Sequence, residues 1–136
     1  MKKILITRRL LKVCEEKASK NFDAKLNFND ELYSQEKLIE LSKGCNGILT
    51  SITDKIDEET VNKLPDTVKI ISNFAVGFGN IDLTTAKKRK IIVTNTPEVL
   101  TDATAEIAIL LILGAARRAF EGIEYAKKSN LSLIHI

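Results

Sequence analysis

Short apolar runs rich in Ile, Leu and Val alternate along the chain with longer segments that have apolar residues at helical spacing. Runs of this length and composition are typical of buried strands. The helical spacing of apolar residues in the longer segments is typical of amphipathic helices. The pattern predicts five strands, at 3–7, 22–28, 47–50, 68–72 and 91–94. It predicts four intervening helices, at 10–20, 34–42, 57–64 and 83–90.

Regular alternation of strand and helix favours a parallel sheet with helices on both faces. Five strands in one small unit predict an α/β fold with a flavodoxin-like, doubly wound sheet. Ligands of such sheets bind at the loops beyond the carboxyl ends of the strands. Those ends are predicted at 7–8, 50–52, 73–80 and 95–97.

A fifth and longest helix is predicted at 101–121, with Thr101 or Asp102 as its N-cap. Apolar residues surround it almost completely from Ala103 to Ala116, which indicates burial on several sides. It could be a core helix of the same domain. We favour a helix that packs outside this domain, because the five-stranded unit is already complete at Thr94.

Composition and charge are ordinary for one soluble domain: 136 residues, 44% hydrophobic, with a net charge of +3 spread along the chain. The densest basic run, 87–90, contains no aromatic residue, so it favours a solvated helix end over nucleic-acid binding. The run 107–113 is too short to span a bilayer. The N-terminus lacks the apolar core of a signal peptide, so we expect a cytoplasmic protein with no membrane partner.

The cysteines and the histidine give little support for metal or redox chemistry. Cys14 and Cys45 have no metal-ligand spacing, and we interpret both as reduced, buried side chains. The single histidine, His135, is next to last in the sequence. We therefore predict no metal site.

The two glycines of "AVGFGNID", Gly77 and Gly79, follow a predicted strand and leave three interpretations. A dinucleotide-binding loop needs a third glycine where this chain has Asp82, and a carboxylate there repels phosphate. A nest of backbone N–H groups could bind a small carboxylate. A turn that needs glycine only for positive φ angles is the third possibility.

The stretch from Asn73 to Arg118, with "AVGFGNID" and "VTNTPEVLTDATAE", resembles the D-isomer-specific 2-hydroxyacid dehydrogenases. The branch it resembles best contains the glyoxylate and hydroxypyruvate reductases. "KILITRRL" and "TSITDKIDEETVNKLP" fit the same family. The resemblance implies a substrate domain at 1–99 and a helix at 100–122 that crosses to a nucleotide-binding domain and forms a homodimer interface through 101–121.

The family reduces a small 2-oxo acid with hydride from NAD or NADP, using an arginine, a glutamate and a histidine. None of these three is assigned here. His135 lies in an unrelated context, and Arg117 and Arg118 lie on the crossing helix. The resemblance therefore implies an oxidoreductase fragment, inactive by itself. The alternative is a stand-alone flavodoxin-like module that binds a carboxylate or a protein.

The resemblance also implies which residues contact the ligands. The N–H groups of Val76 and Gly77 would bind the substrate carboxylate, Ser51 or Ile52 would line the pocket, and Asn80 would fix the loop. Thr104, together with Val76, would contact the nicotinamide end of the cofactor. Many relatives have an acidic residue at the position of Gly79, so we expect a more flexible loop here.

The match fades after Gly122. We interpret 123–136 as a tail of doubtful origin, from a truncated reading frame.

Overall fold

The computed structural model describes residues 1–128, which divide into a compact unit of Met1–Val99 and a second unit that begins at Leu100. His135 and the last part of the predicted tail lie outside the described residues. The roles predicted for the domains remain predictions.

The first unit contains five parallel strands in the order β2-β1-β3-β4-β5. The strands are β1 Lys3–Ile6, β2 Asp23–Lys25, β3 Gly47–Ser51, β4 Ile70–Phe74 and β5 Ile92–Thr94. The helices of this unit are α1 Lys12–Asn21, α2 Gln35–Leu41, α3 Glu58–Lys63 and α4 Leu83–Lys88. This order confirms the predicted flavodoxin-like sheet, with its topological switch point between β1 and β3.

Side-chain caps fix the starts of three of these helices. Ser34, Asp57 and Asp82 each accept a hydrogen bond from the amide three residues later, at 3.3, 3.0 and 2.7 Å. These bonds satisfy amides that have no partner inside the helix. After α2 the cap residue is Ser42, and Gly44 takes the left-handed conformation with φ +76°, which only glycine adopts without strain.

The sheet changes from apolar to polar along one face as it approaches the carboxyl ends of the strands. Paired Leu5, Ile48 and Ile71 are at most 2% exposed and belong to the buried core. Because side chains two residues apart share a face, the next layer comprises Thr7, Thr50 and Asn73, which are also buried. A polar layer therefore lies beneath the loops where a ligand is expected.

The second unit contains α5 Thr101–Ala116 and α6 Ala119–Lys127, so the prediction of one helix over 101–121 was wrong. Arg118 is left-handed, with φ 50° and ψ 42°, and its amide bonds to Ala115 three residues back. Ala and Arg favour helix, so local propensity gives no signal for this break. The predicted caps at 101 or 102 were also wrong, since Leu100 holds that position without a side-chain bond.

No residue of α5 is buried within the part of the chain that the structure describes. Within residues 1–128, no helix combines the length and apolar character needed to cross a membrane.

Both cysteines are free thiols. Cys45 is buried as predicted, and burial raises the pKa of its thiol, but Cys14 is exposed because α1 buries none of its residues.

Candidate functional site

The loop that follows β4, residues 75–80, lies at the carboxyl end of the sheet. Gly77, Phe78 and Gly79 are exposed, and Val76 is half-buried. An exposed glycine-containing loop at this end of a doubly wound sheet is the position where such folds bind ligands.

Three consecutive carbonyl oxygens of this loop are held by donors from other segments. Ala75 O accepts from the amide of Thr96 at 2.9 Å, Val76 O from Asn95 Nδ2 at 2.7 Å, and Gly77 O from Asn73 Nδ2 at 2.8 Å. The peptide bonds are trans and planar, so the N–H of each peptide points opposite to its carbonyl. The N–H groups of residues 76–78 therefore point away from these donors.

The amides on the other side of these peptides have no protein partner in the part of the chain that the structure describes. Within residues 1–128, the N–H groups of residues 76–78 donate to no protein atom. Successive unpaired amides form a nest suited to an oxyanion. The second interpretation of the glycines, a loop whose amides bind a carboxylate, therefore stays a prediction.

The two glycines are not required by the backbone. Neither Gly77 nor Gly79 has a φ in the left-handed region, and a Cβ at either position would meet no atom within 4 Å. The interpretation of a turn that needs positive φ was therefore wrong. What the absent side chains provide is open space beside the loop.

Asn80 connects this loop to the end of β3. Its Nδ2 donates to the carbonyls of Ser51 at 3.0 Å and Asp54 at 3.1 Å, and its Oδ1 accepts from Asn73 at 3.0 Å. The structure thus brings together Ser51, Asn80 and the glycine loop. Ile52 follows directly and is 55% exposed.

Asp54 is a buried carboxylate that supports the end of β3. Its Oδ2 accepts from the hydroxyls of Thr7 at 2.6 Å and Thr50 at 2.7 Å and from the Ser51 amide at 2.9 Å. Its Oδ1 is buried and has no partner within the described residues. Asp54 thereby links the ends of β1 and β3, and its own carbonyl links them to Asn80.

Arg8, directly after β1, connects to Ser51 by a second polar route. Its guanidinium donates to both carboxylate oxygens of Asp30, at 2.8 and 2.9 Å, and to Thr53 Oγ1 at 2.8 Å. Thr53 Oγ1 in turn lies 2.8 Å from Ser51 Oγ, within hydrogen-bond distance. The Arg8 hydrogen bond and the Arg9 amide lower the pKa of Asp30 to about 2. Asp30 therefore stays ionised at neutral pH and keeps Arg8 in place.

The interpretation of a phosphate-binding loop is disfavoured by the helix that follows. Asp82 occupies the N-cap of α4, where it accepts from the Thr85 amide at 2.7 Å. Hydrogen bonds from Thr85 hold the pKa of Asp82 below its ordinary value. A carboxylate already satisfies the helix end at which a phosphate would bind.

Other predicted positions lie elsewhere. Thr104 lies on the exposed first turn of α5, in the second unit, and Arg117 and Arg118 separate α5 from α6. Within residues 1–128, no cluster of His, Cys, Asp and Glu side chains is suited to hold a metal ion. A cavity of about 320 Å³ between α2 and α3 contains none of the predicted residues.

The roles of Asn73, Asn95 and Asp54 were not predicted from the sequence. The available signal was their position, because each is an Asn or Asp within or just after a predicted strand at its carboxyl end. Such side chains commonly bond to nearby backbone.

Comparison with known proteins gives a consistent family match. Residues 4–132 match the family model described as D-isomer specific 2-hydroxyacid dehydrogenase, catalytic domain. The chain is 40% identical over 121 residues to a glycerate dehydrogenase from Hyphomicrobium methylovorum, covering 89% of this chain and 38% of that protein. It is 35% identical over 128 residues to a glyoxylate reductase from Pyrococcus horikoshii, covering 94% of this chain and 38% of that protein.

A solved structure gives the same result. The crystal structure of a D-isomer specific 2-hydroxyacid dehydrogenase, NAD-binding, from Polaromonas sp. JS6 66 has a TM-score of 0.82 and 30% identity. The match covers 96% of this chain and 41% of that chain. The chain thus spans well under half the length of these relatives.

Proposed function

Because the chain belongs to the D-isomer-specific 2-hydroxyacid dehydrogenase family, we propose that residues 1–99 bind the carboxylate of a small 2-oxo acid. The reaction of the complete enzyme would be reduction of glyoxylate or hydroxypyruvate to the 2-hydroxy acid. The names of the glyoxylate reductase and glycerate dehydrogenase relatives support this substrate class. The observation that carries the proposal is the set of amides at residues 76–78, which have no partner within the described residues while the carbonyls of the same peptides are held.

The substrate carboxylate would accept hydrogen bonds from the amides of Val76 and Gly77. Bonds from N–H donors to an ionised carboxylate are stronger than bonds between neutral groups. Ser51 and Ile52 would line the pocket, since Asn80 bonds the Ser51 carbonyl and reaches the same loop through Asn73. Holding the carboxylate fixes the orientation of the adjacent 2-oxo carbon, which is the atom to be reduced.

A nicotinamide cofactor, NAD or NADP, would supply the hydride when bound. On the family resemblance alone we propose Val76 as a contact of its nicotinamide end, and on the same ground, separately, Thr104 of the second unit. The arginine, glutamate and histidine of the family are assigned to none of these 136 residues. We therefore expect this chain by itself to catalyse no turnover.

We further propose a cytoplasmic homodimer formed through the segment 101–121, which the structure divides between α5 and the start of α6. Large apolar side chains of α5 are more than half exposed, among them Ile109, Leu111 and Ile112. An apolar surface of this kind is typical of a protein interface. The two free thiols are compatible with a reducing compartment.

Titration of ¹⁵N-labelled chain with sodium oxamate, a non-reducible 2-oxo acid analogue, tests the carboxylate site. We expect saturable shifts of the amide resonances of Val76 and Gly77, and no absorbance change with glyoxylate and NADPH. Shifts confined to other residues would contradict the proposed site, and turnover by pure chain would contradict the expected inactivity. Micromolar affinity for oxamate would favour a self-sufficient binding module.

A further inference from the structure

Two side-chain carboxamides from different strands hold consecutive peptides of the glycine loop. Asn95, just after β5, donates to Val76 O at 2.7 Å, and Asn73, within β4, donates to Gly77 O at 2.8 Å. Asn73 is 2% exposed and also donates to Asn80 Oδ1 at 3.0 Å. Each carboxamide therefore sets the direction of one peptide, and with it the direction of the next N–H.

We propose that Asn95 and Asn73 are positioning residues, which fix the two peptides that flank Gly77 and thereby hold the Gly77 N–H toward the substrate carboxylate. This inference rests on the function proposed above. Gly77 is the pivot shared by both peptides, and glycine allows rotations that other residues resist. A rotated peptide would present its carbonyl oxygen in place of its N–H, and that oxygen would repel a carboxylate. The two carboxamides oppose this rotation.

The roles of the two residues are distinct. Asn95 controls the peptide whose N–H belongs to Gly77, and Asn73 controls the one whose N–H belongs to Phe78. If Asn95 or Asn73 had only a structural role, its loss would lower the stability of the whole unit. It would not change the direction of one particular N–H bond. Orientation of individual N–H bonds is therefore the measurement that separates positioning from stability.

The experiment compares Asn95→Ala and Asn73→Ala with Asn27→Ala as a matched control. Asn27 is 4% exposed, and its Nδ2 also donates to two carbonyls, Thr7 O at 2.8 Å and Glu31 O at 2.7 Å. N–H residual dipolar couplings are measured without ligand, and oxamate affinity is measured by titration. Asn95→Asp is a further variant, since it keeps the shape of the side chain and replaces the donor by an acceptor.

We expect Asn95→Ala to change the dipolar coupling of Gly77 and Asn73→Ala that of Phe78, each with about tenfold weaker oxamate binding. Asn95→Asp should weaken binding further, and Asn27→Ala should leave the affinity unchanged. Unchanged couplings at Gly77 and Phe78 would overturn the proposal, as would equal loss of affinity in the Asn27 variant. If wild-type chain binds no oxamate, the proposed function fails, and the couplings still decide the positioning role. Should Asn73→Ala not fold, the half-buried Asn95 variants carry the test.

Discussion

Substitution of Gly77 by alanine should separate stability from ligand binding. The backbone at Gly77 is not left-handed, and a Cβ there meets no atom within 4 Å, so the folded state accepts alanine without strain. Alanine also restricts the unfolded chain more than glycine does. At a compatible position this effect stabilises a protein by about 0.4–1 kcal/mol. The Cβ would nevertheless occupy the space beside the amides that we assign to the carboxylate.

We therefore expect Gly77→Ala to leave the free energy of unfolding unchanged or slightly higher, while oxamate binding in the titration falls below detection. Urea denaturation measures the first quantity. Gly44→Ala is the matched control, because Gly44 has φ +76° and also has open space around it. A left-handed alanine costs about 1–2 kcal/mol, so this variant should lose stability and keep its affinity.

The expectation for Gly77→Ala would be refuted if the variant lost stability and kept its affinity for oxamate. A loss of more than about 1 kcal/mol with unchanged oxamate affinity would mean that the glycine serves the fold. It would also mean that the open space beside the loop is not where the carboxylate binds.

Three other predictions concern the rest of the chain. The depressed pKa of Asp30, about 2 against 3.8, means that its stabilising pair with Arg8 is complete above pH 3.8 and is lost as the pH falls toward 2. Thermal melts should lose more stability over that interval in wild type than in Asp30→Asn, and equal losses would contradict the assignment. Arg89 donates to the carbonyls of Val61 and Leu64 at the end of α3. Arg89→Met should therefore lower the free energy of unfolding by about 1–2 kcal/mol, whereas Lys88→Met, the control, should leave it unchanged. Leu110 lies on α5 and is 62% exposed, so we expect it to contribute to the proposed homodimer interface. Light scattering should give a lower molar mass for Leu110→Asp than for wild type. A monomeric wild type would exclude that dimer.

Much of the fold could be predicted from the sequence because its signals are local and repeated. Each strand is a short run of branched apolar residues, and Asp57 and Ser34 mark helix starts by their own capping chemistry. The alternation of elements then restricts the topology, because parallel strands need helical crossovers. The division of the last helix at Arg118 could not be predicted, since alanine and arginine both favour helix and a left-handed arginine has no propensity signal.

The candidate site was less predictable because its geometry depends on bonds between distant segments. The sequence indicates a glycine loop after β4, but 19 positions separate Asn95 from the Val76 carbonyl that it holds. The direction of an N–H cannot be predicted from glycine spacing. The same spacing is compatible with a phosphate loop, a carboxylate nest and a simple turn, and the spacing by itself does not distinguish them.

We propose that the ligand of the glycine loop is a small carboxylate. A phosphate loop uses the start of the following helix, and here Asp82 already accepts the Thr85 amide at the start of α4. That leaves the three amides of residues 76–78. The carbonyls of the same peptides belong to residues 75–77, and they accept hydrogen bonds from the segment that follows β5 and from Asn73 of β4. Two adjacent N–H groups match the two oxygens of one carboxylate, and the bare glycines permit close approach to the backbone. We infer that glycine is present at position 77 because of the ligand, since neither the φ angle nor the packing of the protein requires it.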